Sequence, residues 1–199
     1  MRPEPATKKD GAAVDLYWLP LGAGGHFVRL NGRLYEAFAA GWQRRPRRDL
    51  YHAALQVELP DGTYVIEQAP VPDLSGEGRG VVAEGPVGAR WAGRFRIFRY
   101  EVRVWRGGDI PDVAEAVDSP RRLSSEHDDA LRVLAVVAQV PTPVWGRDEL
   151  RTGEMWNSNA VIAWVLARSG LDSGSIQPPT GGRAPGWLAG VEVARRRGE

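Results

Sequence analysis

The sequence predicts an α+β protein, an antiparallel sheet packed on a buried helix late in the chain. Three observations carry this. Alternating apolar residues with turn chemistry fill the first half, a helical apolar period follows, and one late segment is apolar on almost every side. Strands first and a helix late differ from the βαβ alternation of a parallel sheet.

Composition sets the frame. With 199 residues, 43% of them hydrophobic, the chain is long enough for one proper core. It is expected to form one domain over residues 13–199, after a flexible segment 1–12 that is polar and proline-containing. There is no cysteine, which removes disulfides, thiolate metal sites and cysteine nucleophiles together. The three histidines, His26, His52 and His127, have no metal-ligand spacing, so neither a metal nor a cofactor is expected. A net charge of +1 gives no global pull toward nucleic acid or membrane. The start of the chain has charge but no apolar stretch after it, and the longest apolar run, 160–167, is far below the roughly 20 residues of a membrane span. A cytoplasmic location follows as the expectation. The Arg, Ala, Gly and Pro bias fits a GC-rich bacterial genome.

Taken in order, residues 14–19 read as a strand, and Gly22-Ala23-Gly24-Gly25 breaks it. Segments 27–30 and 33–38 flank Asn31-Gly32, a strong hairpin signal. A basic loop follows, with Arg44, Arg45, Arg47 and Arg48. Segments 50–59 and 63–68 form a second hairpin around Pro60-Asp61-Gly62. Residues 72–94, dense in proline and glycine, read as a long surface loop. Residues 94–106 alternate as one long strand, with a slip near Ile97-Phe98 that fits a bulge. A helix begins after Ser125-Glu126-His127-Asp128 with Leu131, Leu134, Ala135 and Ala138 as its apolar stripe, and Pro141 and Pro143 stop it. Asn157 or Ser158 caps a second helix ending near Gly170. After a turn-rich stretch, residues 186–194 read as a last edge strand.

Two places carry chemistry. His52 opens one strand of the second hairpin and Glu67 lies near the end of its partner, so a carboxylate stands where it can hold the imidazole in one tautomer. A surface cross-strand pair is the plainer alternative. Trp156-Asn157-Ser158-Asn159 starts the buried helix, where free N–H groups and the positive end of the helix dipole favour an oxyanion. The plainer alternative is an N-cap, for which Asn and Ser are preferred. Trp145, with Trp156, is placed to wall a pocket ahead of the helix. Of eight tryptophans, most are expected in the core.

The run from His52 through Glu67 to Pro70, followed much later by Asn157-Ser158-Asn159-Ala160-Val161-Ile162, resembles a circularly permuted papain-like domain of the lecithin–retinol acyltransferase and NlpC-type group. The resemblance covers roughly residues 50–70 and 155–168. It implies a cysteine nucleophile at the start of a late buried helix, a strand histidine as base, and a second polar residue that orients it. By position, Ser158 matches the nucleophile, His52 the base and Glu67 the orienting residue. Asn157, Asn159, Trp145 and Trp156, around the start of the helix, are the expected substrate contacts. Glu67 in place of histidine is chemically comfortable. Ser158 in place of cysteine is a larger departure, because serine loses its proton only during attack.

The leading expectation is therefore hydrolysis or transfer of an acyl or amide group on a small-molecule, peptide or lipid substrate by a Ser158-His52-Glu67 site. The second is an inactive papain-like domain, a pseudoenzyme that binds a ligand in the same cleft. The third is an arginine-rich nucleic-acid module using residues 44–48 and 195–197, which the balanced charge disfavours.

Overall fold

Pro60, Asp61 and Gly62 turn the chain where the sequence places a hairpin, and the two strands they join form the middle of a six-stranded antiparallel sheet. The computed structural model describes residues 11–21, 49–70, 80–110 and 112–196. The Gly22–Gly25 turn, the Asn31-Gly32 hairpin, His26 and the Arg44–Arg48 loop lie outside them, as does most of the segment 1–12.

The strands are β1 (Ala13–Pro20), β2 (Tyr51–Leu59), β3 (Gly62–Pro70), β4 (Val81–Pro86), β5 (Arg99–Arg106) and β6 (Val117–Ser124), in the spatial order β4-β5-β3-β2-β1-β6. Three α-helices are described: α1 (His127–Val137), α2 (Ser158–Arg168) and α3 (Trp187–Arg196).

All three helices lie on one side. Successive strand residues point to opposite faces. Val14, Leu16 and Trp18 of β1, Tyr51, Ala53, Leu55 and Val57 of β2, and Ile66 of β3 join one core cluster with α1, α2 and α3. Their neighbours Tyr17, Leu19, Ala54 and Val65 form a second, smaller cluster with Ile110 on the other face. Helix α2 is buried from Asn159 to Leu166, which suits a segment apolar all round. Helix α3 docks on it through Gly190, where a Cβ would stand 2.1 Å from the Ala160 carbonyl oxygen.

Four expectations need correction. The loop 72–94 contains the edge strand β4, whose short Val81-Val82-Ala83 core is masked in sequence by flanking glycine and proline. The strand expected over 94–106 begins only at Arg99; residues 90–98 form two 3₁₀ turns with Phe95, Ile97 and Phe98 exposed. Of the residues 186–194 expected as a strand, 187–194 are helical, because Trp187, Val191 and Ala194 sit at helical spacing and the close contact with α2 rewards that period. Helix α1 buries Ala130, Val133 and Val137, while Leu131 is exposed. Strand β6 has no counterpart in the expected elements.

Candidate functional site

Strand β2 starts at Tyr51, and its first residues decide the geometry of the site. On one side they keep β1 throughout, with Leu19 opposite His52 and Pro20 opposite Tyr51. On the other side the β2–β3 ladder runs only from Leu59↔Gly62 to Leu55↔Ile66. Strand β3 goes on alone with β5, through Glu67↔Arg103 to Pro70↔Tyr100. The sheet therefore forks between β2 and β3.

Backbone groups exposed by such a fork need other partners. The Tyr51 N–H donates to the Arg183 carbonyl at 2.8 Å, and the Arg183 N–H donates to the Asp49 carbonyl at 2.8 Å. The Tyr51 carbonyl accepts from Asn159 Nδ2 at 3.0 Å. Gly182 lets the loop cross the Tyr51 ring, since a Cβ there would lie 2.3 Å from a ring carbon. A short length of loop and one helix side chain thus fill the place that β3 leaves.

The start of α2 is fixed by amides. Asn157 is the N-cap: its Oδ1 accepts from the Ala160 N–H at 3.2 Å and its Nδ2 donates to the Pro185 carbonyl at 2.8 Å. Asn159 Nδ2 reaches the same carbonyl at 2.9 Å. These two residues latch helix, loop and sheet together. Trp156 is a buried core side chain, and the partly buried Trp145 ties its own loop to the end of β4, its backbone N–H donating to the Pro86 carbonyl at 2.9 Å. Ser158 is partly buried in the first turn.

His52 stands elsewhere. Tyr51 and Ala53 belong to the helix-side core, so the intervening His52 side chain points to the opposite face, that of Leu19 and Ala54. Burial pushes its pKa down to about 4, against a raising influence from Asp112 on the loop covering that face. The imidazole is neutral at pH 7 and a weak base. The sheet lies between it and Ser158, and no hydrogen bond joins the two among the described residues. The plainer N-cap alternative fits the start of α2, and the expected Ser158–His52 convergence is not brought about. On the helix side, that end of β2 presents Tyr51 and Ala53. Burial, then Asp49 and Asp118, raise the Tyr51 pKa, so it offers no base.

Glu67 shares the face of His52, and by register it falls beside Ala54 if the ladder is extended. Its carboxylate lies 3.8 Å from Arg103 Nη1. Arg103 also donates to Glu101 Oε2 through Nε at 2.9 Å and Nη2 at 2.6 Å, and both of these residues are buried. The partly buried Glu67 thus joins a charge cluster on β3 and β5 whose other members, Glu101 and Arg103, are buried.

The residue that sequence reasoning passed over is Gln68. It shares the helix-facing parity of Ile66 and lies beyond the fork, opposite Val102. Among the described residues, neither of its buried amide atoms has a hydrogen-bond partner, and nor does the buried Oδ1 of Asn159. Buried polar groups are nearly always satisfied, so such atoms mark a place where something polar fits. The signal was one of parity: Ala53-Ala54-Leu55 and Val65-Ile66 are apolar on both faces, which leaves open which neighbour faces the helix.

Among the described residues no group of His, Asp or Glu is placed to hold a metal ion. No described helix is long and apolar enough to cross a membrane. No protein-family model matches the chain, and no curated protein or solved structure matches it either.

Proposed function

We propose that the domain binds a small amide- or carboxyl-bearing ligand, peptide-like in its hydrogen bonding, on the helix side of the fork between β2 and β3, without acyl-transfer chemistry. One observation carries this: Gln68 and Asn159 bring to the fork buried amide atoms that have no partner among the described residues, while His52 and the helix that begins at Ser158 lie on opposite sides of the sheet. Gln68 offers two donors and an acceptor, and Asn159 a further acceptor, a set that complements a group able both to donate and to accept. The order of a hairpin followed by a late, asparagine-capped buried helix supports the permuted papain-like reading of the core. In that reading Ser158 occupies the nucleophile position of a site that has lost its base.

The test has two arms. Dipeptides and amino-acid amides are screened by thermal shift on the natural chain and on Gln68→Leu; a shift in the first that vanishes in the second is the expected result. In parallel, a fluorophosphonate probe is applied. No labelling is expected, and a cysteine in Ser158→Cys is expected to alkylate no faster than an exposed thiol. Labelling of Ser158 that disappears in His52→Ala would overturn the binding reading and restore the hydrolase.

A further inference from the structure

Residues 90–98, between the edge strand β4 and its neighbour β5, expose four large apolar side chains: Trp91 at 64%, Phe95 at 50%, Ile97 at 75% and Phe98 at 44%. Single exposed apolar residues are ordinary, but a cluster this dense in one short segment is not. The segment is held firmly. The Phe95 N–H donates to the Ala92 carbonyl at 2.9 Å, the Phe98 N–H to the Phe95 carbonyl at 3.0 Å, and Arg99 Nε to the Gly93 carbonyl at 2.6 Å. Ala92 is its buried anchor, and Gly93 fits against Pro86.

Charge is interleaved with the apolar groups. Arg90 pairs with Glu149, and Arg99 pairs with Glu84 at 3.0 Å. Arg94 and Arg96 have no carboxylate partner among the described residues. The Arg94 guanidinium instead lies 5.7 Å from the Trp91 ring centre and 5.6 Å from that of Phe95.

We infer that this segment is an interfacial anchor for an anionic lipid surface, a role independent of the fork. Aromatic and aliphatic tips that enter the headgroup boundary, with arginines beside them at the level of the phosphates, match the layered chemistry of a bilayer surface. Charge complementarity selects this occupant. A second copy of the same patch would set arginine against arginine. Single-stranded nucleic acid stacks on open ring faces, but Arg94 already occupies a face of Trp91 and of Phe95, and the most exposed group, Ile97, is not aromatic. The balanced net charge of the chain is silent on this point because the asymmetry is local.

The experiment is co-sedimentation of the full chain with vesicles of equal parts phosphatidylcholine and phosphatidylglycerol, against vesicles of phosphatidylcholine alone. Binding to the anionic vesicles that weakens with salt is expected, with loss on Trp91→Ala or Ile97→Ser. These exposed positions can change without disturbing the core, which circular dichroism checks. Arg94→Gln with Arg96→Gln is expected to lower anionic-vesicle binding by roughly thirtyfold. No binding to anionic vesicles, or binding unchanged in the Trp91 and Ile97 variants, would overturn the inference. So would self-association, or retention of a single-stranded oligonucleotide, that these variants abolish while vesicle binding persists.

Discussion

The two faces of the sheet are built on different principles. The helix side joins Leu16, Trp18, Leu55 and Ile66 to Ile162, Trp164 and Leu166 in one continuous apolar cluster. The opposite side has a small cluster around Tyr17, Leu19, Val65 and Ile110, beside paired charges: Asp15 with Arg122 at 2.5 Å, and Glu101 and Glu67 with Arg103. Apolar burial is non-directional and tolerant, whereas a buried charge is stable only with its partner in place. The first face thus supplies stability. The second supplies register, because a one-residue slip of β3 against β5 would break the Glu67–Arg103 pairing.

The comparison can be broken or sharpened by mutation, starting from the largest effect. Trp164→Ala on the helix side should cost about 3–5 kcal/mol by urea unfolding, from lost burial and the cavity left behind. On the other face, Arg103→Met should cost about 3–4 kcal/mol, because it leaves the buried Glu101 carboxylate, and the partly buried Glu67 beside it, without their guanidinium. Adding Glu67→Gln and Glu101→Leu to Arg103→Met should recover most of that loss; failure to recover would mean that the cluster stabilises outright and the two faces are alike.

Next is pH. The folded pKa of His52 lies at about 4, below its ordinary value of 6.5, so the unfolded chain takes up the proton first. Its contribution is fully present above the ordinary value and is lost as pH falls through this window, on the order of 3 kcal/mol in all. His52→Gln should flatten that part of the stability profile. An unchanged slope between pH 6.5 and 4 would remove His52 as its source. The smallest effect is Asn157→Ala, about 1 kcal/mol from the lost cap; a markedly larger loss would show that the link to Pro185 matters more than the cap.

How much of this was legible in the sequence depends on whether one period was available to each segment. The hairpin of β2 and β3 was legible because the turn residues Pro60-Asp61-Gly62 admit few alternatives, and α2 because its apolarity all round fits a buried helix with Asn157 before it. Helix α3 was not: Trp187, Ala189, Val191 and Val193 alternate like a strand, and only the approach of Gly190 to α2 decides for the helix. Strand β6 was hidden by its polar composition, since an edge strand buries little. The site suffered most. His52 and Glu67 are the conspicuous titratable residues of the hairpin, but both belong to the face away from the helices, and Gln68 is conspicuous only once the sheet is known to fork.

That fork has a kinetic consequence. The Tyr51 amide belongs to β2 by position, yet its hydrogen bond ends on Arg183, in the loop that leads into α3. Its protection from solvent exchange is therefore governed by undocking of the C-terminal segment. The Leu55 amide, well inside the sheet, opens only with the sheet itself. Two amides four residues apart on one strand would thus report on different cooperative units of the molecule.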